Sequence, residues 1–482
     1  MAILDYTKLN ARQIIGGISE GDFTSVEVAE SLIEQAEAWE DINSLVNFDV
    51  DRFLLLAEKA DKKQKEGRAI GRLHGLPLLV KDNIDVLNFP TTAATPAFEN
   101  YVPTKQGPVI DTLLNAGAIV MAKTNMHELA FSPGITEPTD GSEIRWGAHG
   151  AAKNPHNLEY SPSGSSSGTG AAVSAGISPA GLGSDTGGSV RNPSAWCGIT
   201  GLRPSIKRYS QVGVVPLSWT RDTIGPMARS VGDLALLDSV ITGEGNIHTS
   251  EIRNLRLGID RDFFCTDCDP EVLKIFDTEV QRLSDAGAEI IAVTIQNLEK
   301  NINQIGQTLT MYEVVRGLAE YLKLSGSGVG IEDLIAQITA SGMGERLKQL
   351  MEGEAVSEEG YTHAISIIRP EIQQSYANVF SENNIQALLF PATLLQPNKI
   401  GELGTSTLRD KTTSYLLAAS HNVQPASIGG SPGLTIAAGL TGSGLPAAIG
   451  FDGPIGNDRD LLAIGMAYEN IRPTMPTPVL AV

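Results

Sequence analysis

The sequence predicts an α/β protein in which a large sheet is covered by helices on both faces. Short apolar runs typical of buried strands alternate along the chain with segments of helical periodicity. The chain has 482 residues, of which 41% are hydrophobic and 19% charged, so it can bury a substantial core. This length fits one large α/β domain or two to three ordinary ones, and neither a repeat of fixed period nor a clear interdomain linker is visible.

The predicted elements follow in order along the chain. Residues 8–66 are predicted to be helical, because Thr24 and Glu27 have the spacing of a capping box and apolar residues then recur at helical intervals. A helix near 109–116 separates the strand-like runs 76–80 and 118–121. Further strands are predicted near 255–259, 289–295, 387–391, 434–437 and 447–451, and further helices near 270–286 and within 304–380.

Residues 132–201 are rich in Gly, Ser, Ala, Pro and Thr, and the whole chain contains 50 glycines. Such a composition is often that of a flexible linker. The small apolar runs 171–173 and 180–183 favour a different interpretation, because glycine also occurs where backbones must approach closely. We therefore predict that this segment is buried.

Charge and cysteine content narrow the possible functions. A net charge of −20 argues against binding to nucleic acid or to an anionic membrane. No run reaches the roughly 18 apolar residues of a membrane span, and the first residues do not resemble a secretory signal. Three cysteines do not make a disulfide framework, so a cytoplasmic location is expected.

Several short motifs are interpreted as structural. Cys265 and Cys268 form a lone CxxC without further ligands nearby, so we predict neither a metal site nor a cofactor. The glycines of 326–330 follow a helical pattern and fit a helix C-cap better than a phosphate loop. Ser166 and Ser431 lie in GxSxG sequences that lack the strand–turn–helix order of a nucleophile elbow, which disfavours a Ser-His-Asp hydrolase with His127 as its base.

The segment 183–191, Gly-Ser-Asp-Thr-Gly-Gly-Ser-Val-Arg, indicates nucleophilic catalysis. Consecutive N–H groups of residues 186–189 can form an anion-binding nest, which would hold the oxyanion formed when Ser189 attacks a carbonyl. No histidine is adjacent, and a lysine can act as the base only when it is neutral. Lys81 ends an apolar strand, where burial would lower its pKa.

These residues resemble the amidase signature family. The matching motifs are Gly75-Leu-Pro-Leu-Leu-Val-Lys81-Asp-Asn, Gly164-Ser-Ser-Ser-Gly168 and Gly183-Ser-Asp-Thr-Gly-Gly-Ser-Val-Arg-Asn-Pro193. The resemblance covers most of the chain from about residue 70. It implies a single large domain with a mixed, twisted sheet, divided into an N-terminal helical region (1–66), the signature core (70–235) and a C-terminal part of the same domain (236–482).

The resemblance also implies site residues. Ser189 matches the acylated nucleophile, Ser165 the bridging serine after a cis peptide bond, and Lys81 the base of a Ser–cis-Ser–Lys triad. Contacts to the substrate and its oxyanion are implied for Thr186, Gly187, Gly188 and Ala130, and supporting roles for Ser166, Asp185 and Arg191. Ser167 departs from the family, which usually has glycine there, and the segment 133–152 is longer than usual and is expected to border the substrate entrance.

The substrate class follows from a narrower resemblance. Residues 124–131, Thr-Asn-Met-His-Glu-Leu-Ala-Phe, resemble the mandelamide and indoleacetamide hydrolase branch, which implies a small aryl-substituted carboxamide as substrate, with no nucleic-acid or membrane partner. Phe131, Trp146 and Trp219 are candidates for lining the acyl pocket, and a homodimer is implied.

Three alternatives stay open. The chain could be the catalytic subunit of a glutamyl-tRNA(Gln) amidotransferase complex, although in that protein Asp usually stands at the position of His127. It could hydrolyse a carbamoyl or urea-derived amide on its own. It could also be a non-catalytic binding member, but such members usually lack a triad residue, and none is missing here.

Overall fold

A mixed eleven-stranded sheet is the framework of the protein in a computed structural model, which describes residues 4–68, 70–132, 135, 138, 142–353 and 356–480. The strands are β1 (Leu45–Phe48), β2 (Pro77–Lys81), β3 (Ile119–Thr124), β4 (Ala180–Asp185), β5 (Thr200–Arg203), β6 (Thr223–Ala228), β7 (Arg256–Ile259), β8 (Glu289–Ala292), β9 (Ala387–Pro391), β10 (Thr405–Leu408), β11 (Lys411–Ser414), β12 (Gly433–Leu440) and β13 (Pro446–Asp452). Strands β10 and β11 form a separate hairpin.

The sheet has the spatial order β1-β3-β2-β4-β6-β5-β12-β13-β9-β7-β8. Strand β2 runs parallel to β3 and β4, and β7 runs parallel to β8 and β9. The remaining neighbours are antiparallel, so the predicted mixed sheet is confirmed. Strands β2 and β4 are buried along their whole length, which explains their uninterrupted apolar or small residues.

Helices flank this sheet. They are α1 (Ala11–Glu20), α2 (Ser25–Ala38), α3 (Val50–Lys65), α4 (Pro108–Asn115), α5 (Ser167–Ser174), α6 (Arg191–Trp196), α7 (Val231–Ile241), α8 (Arg261–Phe264), α9 (Pro270–Asp285), α10 (Leu298–Ile305), α11 (Thr308–Ser325), α12 (Ile331–Ala336), α13 (Met343–Met351), α14 (Glu358–His363), α15 (Arg369–Asn383), α16 (Tyr415–Ala419), α17 (Gln424–Gly429) and α18 (Asp458–Glu469). None of the helices in the described part of the chain has the length and apolar character needed to cross a bilayer.

The sheet and its helices share a large apolar core. Buried residues of α1, α2, α7 and α18 pack with those of the strands in one cluster. A second cluster joins Leu129 and Phe131 to Leu318 of α11 and Leu347 of α13, and thereby places α11–α13 beside the carboxyl end of β3. The prediction of a single α/β domain is confirmed.

The glycine-dense segment 132–201 is a buried part of the fold in its described residues. It contributes α5, β4, α6 and the start of β5, and its residues from 161 onward are almost entirely buried. The interpretation of this segment as a buried core is therefore confirmed for these residues.

The N-terminal region is helical as predicted except at β1. The capping box of Thr24 and Glu27 is present at the start of α2. Residues 45–48, however, form an edge strand in which Leu45 pairs with Thr124. A four-residue strand is too short to show an alternating pattern, and pairing with β3 determines its conformation.

Candidate active site

A buried lysine lies at the carboxyl end of β2. Lys81 is 0% exposed, and its Nζ donates hydrogen bonds to the hydroxyl oxygens of Ser165 and Ser184, both at 2.8 Å. Leu79 pairs with Gly181 and Val80 with Leu182 in the parallel ladder, so the ends of β2 and β4 meet at one edge of the sheet. This register brings Lys81 and Ser184 together.

The Lys81 amine lacks an ion-pair partner within the described residues. Burial lowers its pKa from 10.5 to about 7, although the more distant carboxylates of Asp185 and Asp222 act in the opposite direction. A second buried lysine, Lys123, differs because its Nζ lies 3.3 Å from a carboxylate oxygen of Asp82. Lys81 is therefore the buried amine that has only hydroxyl and carbonyl acceptors around it.

Ser165 lies between Lys81 and the next loop. Its hydroxyl is fully buried and accepts the hydrogen bond from Lys81, while its carbonyl accepts one from the N–H of His127 at 3.2 Å. The peptide bond between Gly164 and Ser165 is cis, as the family resemblance implies.

Ser189 lies in the loop that joins β4 to α6. It is partly exposed and lines a cavity of about 430 Å³. Its carbonyl accepts a hydrogen bond from the N–H of Ser166 at 3.1 Å, so this loop touches the backbone immediately after Ser165. The structure thus brings Lys81, Ser165 and Ser189 together at one end of the sheet.

Asp185 fixes the shape of the loop before Ser189. Its buried carboxylate accepts the N–H groups of Gly188 (2.9 Å) and Val190 (3.2 Å), and it is paired with Arg191 (3.1 Å) and Arg203 (3.0 Å). Burial alone would raise its pKa, but the two guanidinium groups hold the pKa of this carboxyl well below its usual range.

The predicted anion nest is present in part. No protein acceptor lies against the N–H groups of Thr186, Gly187 or Ser189 within the described residues, whereas the N–H of Gly188 is taken by Asp185. Gly188 has a φ of +108°, and a Cβ there would lie 2.6 Å from Val423. Its contribution is therefore to the turn of the loop, and its N–H is not free for an oxyanion, contrary to the expectation from the sequence.

The other residues singled out in the sequence lie around this centre. Ser166 exchanges hydrogen bonds of 3.3 Å with the backbone of Ser184, and Ser167 is the first residue of α5. Ala130 lines the cavity with a φ of +58° and donates its N–H to the carbonyl of His127 at 3.0 Å.

His127, the alternative base, is held away from that role. Its Nδ1 lies 2.7 Å from the hydroxyl of Ser132, and its ring stacks on Trp146 with 4.6 Å between centroids. Burial, with a further contribution from Lys81, lowers its pKa to about 3. The histidine is therefore neutral and already hydrogen-bonded.

The cavity walls differ from the aromatic pocket expected. Phe131 and Trp146 are buried in the core, Trp219 is 41% exposed, and none of the three lines the cavity. One wall is aliphatic and the facing strip is polar. The aliphatic side chains are Ile135, Leu217, Leu403, Leu416 and Leu417, and the polar ones include Asn192, Arg221, Thr310 and Gln424.

The segment 133–152 falls partly outside the described residues. Residues 133–134, 136–137 and 139–141 are among those not described, whereas Ile135 lies on the cavity wall. The expectation that this segment borders the substrate entrance stays a prediction.

The motifs interpreted as structural have structural surroundings. Cys265 and Cys268 are free thiols whose pKa values burial raises to about 11 and 12. Gly326 is the C-cap of α11, and Ser431 precedes β12 rather than following a strand. Within the part of the chain described, no cluster of three or more His, Cys, Asp or Glu side chains has a metal-binding arrangement.

Sequence reasoning missed several residues that surround Lys81 and the cavity. Ser184 is the second acceptor of Lys81 and also accepts from Asn83 at 3.0 Å. Asp222 accepts the Thr186 hydroxyl at 2.6 Å. Ser184 lies within a quoted motif, and only the pairing of β2 with β4 reveals its partner.

Comparisons with known proteins agree with this geometry. The sequence profile of the amidase family matches residues 27–462. Indoleacetamide hydrolase of Agrobacterium vitis is 34% identical over 95% of this chain and 96% of that protein, and mandelamide hydrolase of Pseudomonas putida is 35% identical over 94% and 90%. A glutamyl-tRNA(Gln) amidotransferase subunit of Lachnospira eligens is 30% identical over 98% and 99%. A crystal structure of an amidase superposes with a TM-score of 0.84 at 29% identity, covering 96% of this chain and all of that one.

Proposed function

Because this chain belongs to the amidase signature family, whose members hydrolyse amide C–N bonds, we propose that it cleaves a small carboxamide to the acid and ammonia through an acyl-enzyme on Ser189. The observation that carries the proposal is the 2.8 Å hydrogen bond from Lys81 to Ser165, next to the cavity that Ser189 lines. A buried amine whose pKa is lowered to about 7 is available as a base at neutral pH.

The proposed reaction begins with proton transfer. Neutral Lys81 takes a proton from the Ser165 hydroxyl, which takes one from Ser189, and the Ser189 oxygen forms a bond to the amide carbon. The negative charge that develops on the carbonyl oxygen is stabilised by the unoccupied N–H groups of the loop, those of Gly187 and Ser189 among them.

The tetrahedral intermediate then loses its C–N bond. The proton held by Lys81 returns through Ser165 to the leaving nitrogen, and ammonia departs. Water attacks the ester by the same relay in reverse, which releases the acid and restores Ser189. No metal or cofactor is required by these steps.

For the acyl group we propose an aryl-substituted or similarly apolar acid. The two hydrolases named above act on indoleacetamide and mandelamide and match almost the whole chain. The aliphatic wall of the cavity offers apolar contacts to such a group, and a volume of about 430 Å³ suits a small molecule.

The test is ammonia release by the purified chain with phenylacetamide, mandelamide, indoleacetamide, short aliphatic amides and glutamine. We expect turnover of the aryl amides, abolished by Ser189→Ala, and an acyl adduct on the peptide that contains Ser189 in rapid-quench mass spectrometry. Ser431→Ala is a matched control, because Ser431 lies in the other GxSxG sequence and does not line the cavity.

A second candidate, the catalytic component of the amidotransferase, gives a different result in the same assay. A relative with that function is 30% identical across the chain. Activity with glutamine alone, or only after a partner protein is added, would favour it over a standalone amidase. The homodimer and the cytoplasmic location remain predictions, of which the first is tested by light scattering of the purified chain.

A further inference from the structure

Arg221 is an arginine of the cavity wall with unusual surroundings. Its side chain is 98% buried, given a relative exposure of 2%, yet it lines the cavity. Nη1 donates to the hydroxyl of Thr310 at 3.0 Å and Nη2 to the amide oxygen of Gln424 at 2.9 Å. The buried Nε has no acceptor within the described residues. The guanidinium therefore has donors left over and only neutral acceptors.

The other buried arginines near the active site have carboxylate partners. Arg191 and Arg203 both pair with Asp185, at 3.1 and 3.0 Å. Arg221 makes no such ion pair with any described residue. Burial lowers its pKa to about 10, so it remains a cation at neutral pH. An unpaired buried cation is costly unless another group compensates its charge.

Nearby acids do not provide that compensation directly. Asp222 and Glu313 attract Arg221, but their oxygens are occupied. Asp222 accepts the Thr186 hydroxyl at 2.6 Å and two backbone N–H groups, and Glu313 accepts the Tyr361 hydroxyl at 2.8 Å and three further hydrogen bonds. The unused donors of Arg221 are therefore left without a charged protein acceptor.

The guanidinium also lies close to the reacting centre. An ideal Cβ on Gly187 would be 3.2 Å from Nη2 of Arg221, and Gln424 donates to the carbonyl of Gly187 at 2.9 Å. Gly187 precedes Ser189 by two residues. A group bound to Arg221 would therefore be separated from the scissile carbonyl by a short stretch of the acyl chain.

We propose that Arg221 is a specificity-determining residue that binds a hydrogen-bond acceptor on the acyl group of the substrate, preferably a carboxylate. This inference rests on the proposed amidase function and adds a polar requirement to the apolar acyl group. Such an acyl group would place its hydrocarbon part against the leucines of the aliphatic wall and its acceptor on the polar strip. Guanidinium–carboxylate pairs are the charge-assisted contacts that suit this geometry.

The test compares amides of equal shape that differ in this acceptor. The pairs are succinamate with isocaproamide, and para-carboxyphenylacetamide with para-isopropylphenylacetamide. We expect kcat/KM of the wild-type chain to favour the carboxylate member of at least one pair by roughly 10–100-fold, the range that a hydrogen bond to a charged group gives. A wild-type preference for the neutral member in both pairs overturns the proposal without any variant.

Two substitutions then separate recognition from a structural role. Arg221→Met removes the cation and should abolish the preference, whereas Arg221→Lys should retain part of it. The ratio of two kcat/KM values within one variant is independent of how much protein is folded. Equal losses on both members of a pair would mean that Arg221 supports the loop or the oxyanion only, and would overturn the proposal.

Arg229→Met is the matched control. Arg229 is likewise a largely buried arginine that donates only to backbone carbonyls, of Leu9, Val173 and Ser178, and it does not line the cavity. Its loss should lower thermal stability and leave the preference unchanged. Turnover of neutral amides without any carboxylate preference would contradict only this inference, whereas no turnover of any amide would contradict the proposed function as well.

Discussion

The low pKa of Lys81 predicts the pH dependence of the enzyme. At pH 7, a lysine with the ordinary pKa of 10.5 is neutral in about one molecule in 3,000, whereas a pKa of about 7 makes about half of the molecules neutral. Burial thus raises the concentration of the active base by about 10³-fold, equivalent to roughly 4–5 kcal/mol. Because protonation removes the base, kcat/KM should rise with pH through about 7 and then level off.

The assay is kcat/KM for phenylacetamide between about pH 5 and 9, measured by ammonia release. Asp222→Asn removes a negative charge that favours protonated Lys81, so the rising limb should move to lower pH. Asp277→Asn is the control, because Asp277 is an exposed acid paired with Arg261 at 2.8 Å, and it should leave the limb in place. Lys81→Met should lower kcat by roughly 10²–10⁴-fold and remove the limb.

A carboxyl group could produce a limb of similar shape, because burial raises the pKa of Asp222 to about 6 and that of Asp452 to about 7. Temperature distinguishes the two origins. Ionisation of an amine absorbs much more heat than that of a carboxyl, so a lysine limb moves to lower pH on warming. A limb that is insensitive to temperature, or one that persists in Lys81→Met, would refute the assignment of Lys81 as the base.

Three further predictions concern the surroundings of this lysine. Ser184→Ala removes one of its two hydroxyl acceptors and should lower kcat about 10-fold with little change in KM, measured by steady-state kinetics. Asp185→Asn leaves two buried arginines without a full partner and should lower the free energy of unfolding by about 3–5 kcal/mol in urea titrations, whereas Asp5→Asn breaks an exposed pair and should change it by about 1 kcal/mol at most. Gly188→Ala places a Cβ at a φ of +108° beside Val423 and should cost about 1–3 kcal/mol; an unchanged melting temperature would contradict that interpretation of the loop.

Much of the reacting centre could be predicted from the sequence because its residues lie in short, recognisable contexts. An apolar run ending in lysine indicates a buried strand with a polar end, and Lys81 does end β2 at 0% exposure. The glycines around Ser189 indicate a tightly turned loop, and the family motifs supply the pairing with Ser165. Each of these signals spans only a few residues, so no knowledge of tertiary contacts is needed to read it.

The cavity wall could not be predicted in the same way. Leu403, Leu416 and Gln424 come from a region more than 200 residues after Ser189 in the chain, and they reach the cavity only because the β10–β11 hairpin and α17 fold over the loop. An aromatic residue near a motif, such as Trp146, is easier to notice but packs against His127 instead. Substrate specificity therefore depends on long-range contacts that local patterns do not encode.

The abundance of glycine has a direct chemical consequence at Lys81. In the parallel ladder Val80 pairs with Leu182, which places Gly183 level with Lys81, and a Cβ on Gly183 would lie 2.7 Å from the hydroxyl oxygen of Ser166. A larger residue would push the serine loop away from the lysine and admit water to the amine. Water would restore the ordinary pKa, because it is the loss of hydration that disfavours the charged form. The close packing that glycine permits is thus what keeps this lysine available as a base, and a side chain at Gly183 should be detected as a shift of the rising pH limb to higher pH.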